Sequence, residues 1–255
     1  MTRIPIGLQL HTVRQELMED MPGALAKVAD MGYDGVELVA MKDGPPAGEI
    51  RSMIESSKLT LISSHVGFTD LRDDFDNTIA YHKDLGHSDL VVGAVPPDMR
   101  GSDEGWKQAV AELDEMARKA TSAGFRVSMH NHAFELEQTV DGVEAHHYVF
   151  SHIPPNVLNA QLDTFFIEDV GKDPAEYVRK FAARVPLLHI KDKAKDSDPD
   201  GQTHIGNGVI DWDAVFAAAE ESGVEWYIVE QKRESVPGIE SARLSAEYLK
   251  SRGML

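Results

Sequence analysis

Apolar and polar positions alternate along the chain in repeating units, each made of a short apolar run followed by a longer amphipathic stretch. The apolar runs predict eight strands, and the amphipathic stretches, whose apolar residues recur every three or four positions, predict helices. Glycines that end helices follow several of these stretches, as Gly32, Gly86, Gly124 and Gly223 do. The predicted strands are residues 4–11, 35–40, 59–67, 89–95, 125–132, 157–163, 186–192 and 225–231. The predicted helices are residues 20–31, 47–57, 73–85, 102–122, 142–151, 174–184, 211–222 and 238–252.

This alternation predicts an α/β fold. Strands that are apolar on both faces and alternate with helices are typical of a parallel sheet covered by helices. Eight such units in 255 residues, with no low-complexity linker, predict a closed (β/α)8 TIM barrel that forms a single domain over residues 1–255. The alternative is an open doubly wound sheet. That sheet usually has a glycine-rich turn after its first strand, whereas residues 9–14 contain no glycine, which favours the barrel.

The composition narrows the classes of function. The formal net charge is −18, from 43 acidic and 25 basic residues, whereas a surface that binds nucleic acid is normally basic, so no nucleic-acid partner is expected. No apolar stretch approaches the roughly 18 residues that span a bilayer, and the first residues lack a signal-peptide pattern, so no membrane partner is expected. Cysteine is absent, which excludes disulfides and thiolate metal sites and fits a cytoplasmic protein. The pattern leaves open whether the chain forms a homo-oligomer.

Ionisable side chains lie at or just beyond the carboxyl end of every predicted strand except the fourth. In a TIM barrel these strand ends form one mouth, where the active sites of this fold lie. So many ionisable groups at matching positions favour a functional site over a role in packing. They are His11, Glu37, His65, His130, His132, Asp163, His189, Lys191, Glu230 and Lys232.

Four of these residues form a candidate metal-binding set. His130, Asp163, His189 and Glu230 close the apolar runs of predicted strands five to eight, which are neighbours in a barrel. Alternate side chains of a barrel strand face the interior, so His130 and His132 can both point inward. Two imidazoles and two carboxylates are a suitable ligand set for a divalent ion such as Mn²⁺, Zn²⁺ or Fe²⁺.

At these strand ends the sequence resembles the sugar-phosphate isomerase/epimerase superfamily, the xylose-isomerase-like barrels that also include apurinic endonucleases and inosose dehydratase. The resemblance covers essentially the whole chain. Each motif is weak alone, but their order and spacing together are specific for the superfamily, although not for a substrate. The motifs are residues 7–14, 32–38, 63–65, 130–135, 189–192 and 206–212.

The resemblance implies one divalent metal ion (Mn, Zn, Fe, Co or Mg) held by Glu, Asp, His and Glu from strands five to eight. Asp163, His189 and Glu230 match three of those positions. The first position departs from the pattern, because this chain has histidine where many relatives carry glutamate. Three residues are therefore candidates for the first ligand, namely His130, His132 and Glu135.

The function expected from this resemblance is that of a metal-dependent sugar isomerase or epimerase. A metal-bound carbonyl beside a hydroxyl makes the intervening C–H acidic, and a base then removes the proton to form an enediolate. One alternative is a lyase or dehydratase that acts on keto-sugars or inososes, including 3-keto-glycosides. More remote alternatives are an apurinic-site endonuclease, which the acidic charge disfavours, and a non-catalytic sugar-binding barrel.

Each candidate residue has an expected role in such a site. Glu230 or His132 would act as the base, and Lys191 would neutralise the developing oxyanion or hold a substrate hydroxyl. The side chains expected to bind the sugar or polyol substrate are His11, Glu37, His65, Glu135 and Lys232.

Overall fold

Eight parallel strands close into a barrel, as the sequence predicts. The computed structural model describes residues 3–39, 44–195, 201–232 and 236–255; residue 40 of the second predicted strand and residues 196–200 of the polar segment before Gly206 lie outside the described residues. The order around the barrel is β1-β8-β7-β6-β5-β4-β3-β2. The strands are β1 (Ile6–Gln9), β2 (Gly35–Val39), β3 (Thr60–Val66), β4 (Asp89–Val92), β5 (Arg126–His130), β6 (Asn159–Asp163), β7 (Leu187–Ile190) and β8 (Trp226–Val229).

Helices follow the strands and cover the outside of the barrel with their apolar faces. Among the described helices, none is long and apolar enough to cross a membrane. The α-helices are α1 (Arg14–Glu19), α2 (Met21–Asp30), α3 (Ala47–Ser56), α4 (Phe68–Asp73), α5 (Phe75–Leu85), α6 (Asp103–Ser122), α7 (Ala133–Glu137), α8 (Ala145–His152), α9 (Thr164–Asp169), α10 (Pro174–Lys180), α11 (Trp212–Ser222) and α12 (Gly238–Ser251). Short 3-10 helices span Leu10–Val13 and Pro97–Met99.

Two short antiparallel hairpins depart from the predicted pattern. The helix predicted from residue 142 begins only at Ala145, because Thr139–Val140 and Val143–Glu144 pair around a turn in which Asp141 and Gly142 have φ of 49° and 77°. Positive φ at both central residues suits the right-handed twist of a hairpin. In the polar segment after β7, Asp192–Lys193 pairs with Gln202–Thr203.

The second hairpin is held by the carboxylate of Asp192, which closes the motif at residues 189–192. Its Oδ2 accepts hydrogen bonds from the backbone N–H of Gly206 and of Gly208, at 2.9 and 3.1 Å, and from Trp212 Nε1 at 2.9 Å. One buried acceptor thus fixes the loop that carries the motif at residues 206–212. Asp192 therefore joins the two motifs and has a structural role in this loop.

The barrel interior is apolar at its amino-terminal end and polar at the mouth. Side chains from four strands form the apolar floor, namely Ile62, Val91, Leu187 and Ile228. Ile62 fits because Gly7 and Gly35 face it: a Cβ on Gly7 would lie 2.2 Å from Ile62 Cδ1, and one on Gly35 would lie 2.9 Å from Ile62 Cγ1. The floor supports the polar groups above it and separates them from solvent on that side.

A pair of histidines outside the barrel mouth converges on Ser64. His82 lies on α5, and His87 lies in the loop that follows it. Ser64 Oγ lies 2.8 Å from His82 Nδ1 and 2.9 Å from His87 Nε2, between the barrel and α5. Burial lowers the pKa of His82 to about 4, and burial together with the charge of His82 lowers the pKa of His87 to about 3. Both imidazoles are therefore neutral in the folded protein at pH 7.

We expect this pair to make the fold sensitive to acid. The unfolded chain protonates these histidines near pH 6.5, whereas the folded chain does so only near pH 4 or below, so the unfolded state binds more protons between those values. The free energy of unfolding should thus fall as the pH is lowered from 7 to 5, by roughly 1–2 kcal/mol per histidine. Urea denaturation at both pH values of the wild type and of a His82→Gln/His87→Gln variant measures this. An equal loss in the two proteins would contradict the expectation.

Two further histidines, His146 and His147, are adjacent on α8 but have different surroundings. His147 is exposed, but His146 is fully buried, and its Nδ1 lies 2.8 Å from the Tyr177 hydroxyl. The aromatic rings of Phe150 and Phe181 surround it. His146 is therefore part of the packing between α8 and α10.

Candidate metal centre

Four side chains at the carboxyl ends of β5 to β8 converge on one point at the barrel mouth. His130 and Asp163 end their strands, His189 lies within β7, and Glu230 directly follows β8. One ligand atom from each lies within 4.8 Å of the others. All four side chains are buried, with at most 1% of the residue exposed. The structure thus brings together the set that strand order and spacing select.

Three of the four candidate ligand atoms of this cluster lack hydrogen-bond partners among the described residues. His130 Nε2, Asp163 Oδ2 and His189 Nδ1 are buried, and none of them has a partner among the described residues. His130 Nε2 lies 3.8 Å from Asp163 Oδ2, and His189 Nδ1 lies 3.4 Å from Glu230 Oε2. Buried polar atoms without partners are costly, so they are rare in folded proteins unless another group satisfies them. Imidazole nitrogens and carboxylate oxygens in this arrangement fit a divalent ion.

The two carboxylate oxygens of Asp163 have different surroundings. Its Oδ1 accepts hydrogen bonds from the backbone N–H of Phe165 at 2.9 Å and of Phe166 at 3.4 Å, and so caps α9. Its Oδ2 faces the cluster without a hydrogen bond. Burial raises the pKa of Asp163, although the charges of Lys191 and His189 oppose the rise. The helix cap therefore aims one oxygen into the site.

Two lysines balance the negative charge of the cluster. The fully buried Lys191 Nζ lies 3.5 Å from Glu230 Oε2 and 3.7 Å from Asp163 Oδ2. Lys232 Nζ lies 3.1 Å from Glu230 Oε1, and its side chain is 31% exposed. Burial by itself would raise the pKa of Glu230, but Lys191, His189 and Lys232 hold it well below its usual range. Glu230 is therefore a carboxylate at neutral pH.

Glu37 lies beneath the cluster, within the barrel. Its Oε1 accepts from Gln9 Nε2 at 2.6 Å and from His189 Nε2 at 2.7 Å, and its Oε2 accepts from Ser63 Oγ and Gln161 Nε2, both at 2.6 Å. Burial by itself would raise the pKa of Glu37, but His65 and His189 hold it well below its usual range. This placement speaks against the predicted substrate contact, because Glu37 is fully buried and both oxygens are already bonded.

His65 and His11 lie closer to the opening. The side chain of His65 is 14% exposed, and its Nε2 lies 2.8 Å from Gln161 Oε1 and 3.1 Å from Glu37 Oε1. Its ring stacks on that of His189, with centroids 5.6 Å apart. His11 follows β1 in the 3-10 helix, where burial and the charge of Lys232 lower its pKa, and its buried Nδ1 has no partner among the described residues.

His132 and Glu135 lie outside the cluster of His130, Asp163, His189 and Glu230. Strand β5 ends at His130, and His132 is the N-cap of α7, where Glu135 Oε2 accepts a hydrogen bond from the backbone N–H of His132 at 2.8 Å. Burial raises the pKa of Glu135 to about 8, and no part of the residue is exposed. This speaks against the predicted substrate contact of Glu135 and against its alternative role as first ligand. His130 is the candidate that joins Asp163.

The half-buried ring of His132 belongs to an aromatic wall beside the cluster. It stacks on Phe134 with centroids 5.5 Å apart, and it lies 4.9 Å from the ring of Phe166. Arg100 lies over the other end of this wall, 3.8 Å from the centroid of Phe134. Burial and the charges of the two lysines lower the pKa of His132 to about 3, so the ring is neutral at pH 7.

Gln161 and Phe166 take part in the site although the sequence interpretation does not select them. Gln161 precedes Asp163 by two positions on β6, so the period of the strand places both side chains inside the barrel. That spacing is a signal in the sequence, but Gln161 is uncharged and is therefore not among the ionisable strand-end residues. Phe166, whose ring centroid lies 4.8 Å from Lys191 Nζ, has no comparable signal, because it sits on α9 beyond the strand.

Known proteins with this architecture support the class that the fold and site define. Residues 25–252 match the family model described as "Xylose isomerase-like TIM barrel". The chain therefore belongs to the xylose isomerase-like TIM-barrel family.

Several curated relatives share low sequence identity with this chain. Inosose dehydratase from Geobacillus kaustophilus (strain HTA426) is 23% identical in an alignment that covers 91% of this chain and 90% of that protein. Inosose dehydratase from Lacticaseibacillus casei is 22% identical in an alignment that covers 52% of this chain and 49% of that protein. That match spans about half the length of the Lacticaseibacillus protein. The relatives support the family and leave the reaction of this chain open.

Solved structures share the fold across the whole chain. A sugar phosphate isomerase/epimerase from Parabacteroides distasonis ATCC 8503 has a TM-score of 0.86 at 21% identity, covering 100% of this chain and 96% of that one. L-ribulose 3-epimerase has a TM-score of 0.72 at 17% identity, and the match covers 100% of this chain and 95% of that one. The IOLI protein with a binding zinc atom has a TM-score of 0.74 at 18% identity, covering 98% of each chain. At these identities the likeness concerns the fold alone.

Proposed function

We propose that this protein is a divalent-metal-dependent enzyme that isomerises or epimerises a small keto-sugar by removing a proton next to its carbonyl. The observation that carries the proposal is the set of three buried ligand atoms without hydrogen-bond partners, on His130, Asp163 and His189, within reach of Glu230. These four side chains would hold the ion. The two imidazoles favour Zn²⁺, Fe²⁺ or Co²⁺ over Mg²⁺, which prefers oxygen ligands, and the two carboxylates also suit Mn²⁺.

When bound, the ion would polarise a substrate carbonyl and its neighbouring hydroxyl, which makes the C–H between them acidic. The chain's own residues would supply the base and the group that stabilises the developing negative charge. Glu230 is ionised and would accept the proton at a carboxylate oxygen, and His132, neutral and half-buried beside the cluster, is the alternative base. Lys191 Nζ, buried between Asp163 and Glu230, would hold the substrate oxygen on which negative charge develops.

Substrate hydroxyls would bind near the rim of this cluster. His11 and His65 are partly exposed there, and Lys232 has the most accessible charge, at 31% exposure of its side chain. The aromatic wall of Phe134, His132 and Phe166 offers an apolar face beside them. This combination suits a polyol with one C–H-rich face.

A second candidate function is the dehydration of an inosose or a related keto-sugar. The relatives named inosose dehydratase support it, one of them across 91% of this chain. Elimination also needs an acid for the departing hydroxyl. Lys232 Nζ is 3.1 Å from Glu230 Oε1, so this ammonium group could give a proton to a hydroxyl close to the carboxylate that removes one.

Solvent exchange distinguishes these outcomes. The protein loaded with Mn²⁺ or Zn²⁺ is incubated in D₂O with ketoses, inososes and 3-keto-glycosides, and the recovered sugars are analysed by NMR after the metal is removed. An isomerase or epimerase should place deuterium on one carbon of a product that keeps all its hydroxyl groups. A dehydratase should give a product that has lost one hydroxyl group as water. Metal-loaded protein that produces neither exchange nor product across the three classes would contradict the proposal.

A further inference from the structure

A single buried carboxylate contacts both imidazole ligands of the candidate metal centre, one directly and one through an amide. Glu37 Oε1 lies 2.7 Å from His189 Nε2. Its Oε2 lies 2.6 Å from Gln161 Nε2, and Gln161 Oε1 lies 3.1 Å from His130 Nδ1. Glu37, Gln161, His130 and His189 are all at most 1% exposed, so no bulk water competes for these contacts.

The contact with His189 determines which of its nitrogens is available to an ion. A carboxylate oxygen only accepts hydrogen bonds, so His189 must donate its Nε2–H to Glu37. The remaining nitrogen, Nδ1, is the atom that has no hydrogen-bond partner among the described residues and lies 3.4 Å from Glu230 Oε2. The carboxylate therefore leaves Nδ1 as the nitrogen of His189 that faces the cluster and is available to an ion.

The contact of Glu37 with Gln161 determines in the same way which nitrogen of His130 is available to an ion. Glu37 can accept only the NH₂ end of the Gln161 amide, which leaves the carbonyl oxygen of Gln161 facing His65 Nε2 and His130 Nδ1, at 2.8 and 3.1 Å. That oxygen only accepts, so His130 must donate its Nδ1–H. Its other nitrogen, Nε2, is again the atom without a partner.

We propose that Glu37 is a positioning residue that sets the tautomers of both imidazole ligands, His189 directly and His130 through Gln161. This inference rests on the proposed function in one respect, namely that His130, Asp163, His189 and Glu230 bind a divalent ion. Partners of this kind orient metal ligands in proteins, and losing one typically costs 10- to 100-fold in metal affinity. Here one carboxylate serves two ligands, so its replacement should act on both.

The replacement Glu37→Gln keeps the shape of the side chain but converts one accepting oxygen into a donor. If the NH₂ takes the place of Oε1, it faces His189 Nε2, whose proton must move to Nδ1 and point into the cluster. If it takes the place of Oε2, it faces Gln161, whose amide must turn over, and the His130 proton then moves to Nε2. Either orientation removes one lone pair from the ion, so we expect zinc affinity to fall about 10- to 100-fold.

Exchanging the two groups should restore the site. In the double variant Glu37→Gln/Gln161→Glu, the carboxylate at position 161 accepts Nδ1–H of His130, while the amide oxygen at position 37 accepts Nε2–H of His189. The amide NH₂ at position 37 then donates to the new carboxylate. The net charge is unchanged from the wild type, and both tautomers are as before, so most of the lost zinc affinity should return. A role of Glu37 in packing alone predicts no such recovery.

Ser63→Ala is the matched control. Ser63 Oγ donates to Glu37 Oε2 at 2.6 Å, and no hydrogen bond to an imidazole is found for it among the described residues. Removing this donor leaves Glu37 with its contacts to Gln161 and His189. Zinc affinity should therefore match that of the wild type, although the network loses one hydrogen bond.

Two measurements test the proposal: zinc affinity by competition with a chromophoric chelator, and the imidazole tautomers of the zinc-loaded, ¹⁵N-histidine-labelled wild type by long-range ¹H–¹⁵N NMR. Support requires the proton on Nε2 of His189 and on Nδ1 of His130, weaker zinc binding by Glu37→Gln, and recovery in the double variant. A proton on the other nitrogen of either ring, or unchanged affinity in Glu37→Gln, overturns it and leaves the proposed function intact.

The remaining outcomes are also decisive. If Glu37→Gln fails to fold, as thermal unfolding would show, the wild-type tautomers and the double variant still decide the question. A double variant that folds but binds zinc no more tightly than Glu37→Gln overturns the proposal. Wild-type protein that binds no zinc overturns both this inference and the proposed metal centre.

Discussion

Replacing Asp163 with alanine is expected to remove both the metal and turnover. The change deletes Oδ2, one of the three ligand atoms that lack a hydrogen-bond partner, and leaves His130 Nε2 without its nearby carboxylate at 3.8 Å. Because loss of a single preorganised electrostatic contact already costs about 10²–10³-fold in rate, we expect turnover to fall by about 10³-fold or more. Metal content after dialysis, measured by elemental analysis, and steady-state rates with the substrate identified in D₂O check this.

Two further variants separate ligand loss from damage to the fold. Asp163→Ala also loses the cap of α9, worth about 1 kcal/mol, whereas Asp163→Asn keeps a side-chain oxygen for that cap and should still lose metal and turnover. Asp173 caps α10 in the same way, through hydrogen bonds from Ala175 N at 2.8 Å and Glu176 N at 3.1 Å, but lies on the surface. Asp173→Ala should therefore lose stability alone. Full turnover by metal-free Asp163→Asn would refute the proposed function.

Replacing Lys191 with methionine is expected to abolish most turnover while the metal stays bound. Methionine keeps an apolar stem against Phe165 and Phe166 but removes the ammonium group, which lies within 3.7 Å of both Asp163 and Glu230. Without that cation, the negative charge that develops on the substrate loses a fixed partner, and the rate should fall about 10²–10³-fold. Metal affinity should not weaken, because the carboxylates no longer share their charge with a lysine. Rate and metal affinity are measured on the same preparation.

The control for this change is a lysine of the same loop. Lys193 Nζ lies 3.4 Å from Asp169 and its side chain is 25% exposed, outside the cluster, so Lys193→Met should leave turnover and metal affinity unchanged. Unfolding is followed with metal present, since the loss of a buried charge can also lower stability. If Lys191→Met lost its metal along with its activity, Lys191 would act by holding the ligands in place and would have no separate role in catalysis.

The barrel and most of the ligand set could be predicted because both depend on local periodicities. Apolar runs of strand length repeat with helices between them, and strand order in a parallel barrel follows chain order. A polar residue that closes each run is then carried to the mouth with its neighbours. The positions of Asp163, His189 and Glu230 at the strand ends are therefore enough to predict that they lie close together. His130 lies with them because it is the last residue of β5.

The roles of the other residues depended on where strands end and shift, which the periodicity does not show. The parity argument placed His132 inside the barrel, but β5 stops at His130 and the chain turns into α7, where Glu135 serves the helix start. Near Glu37, the pairing of β2 with β3 shifts register between Val36 and Glu37, so that Glu37 lies opposite Ser63. A shift of this kind changes the neighbours of every residue beyond it.

The sequence by itself determined the architecture of this protein and the side chains that reach the mouth of its barrel. Only the tertiary structure decided which groups each side chain contacts there. The contact between Glu37 and His189 joins residues 152 positions apart and exists only because the barrel closes. Strand periods act over a few residues, whereas the choice of a hydrogen-bond partner inside a closed barrel depends on all eight strands at once. For that reason the strand periods did not show that Glu37 lies fully buried beneath the cluster, with its carboxylate bonded to His189.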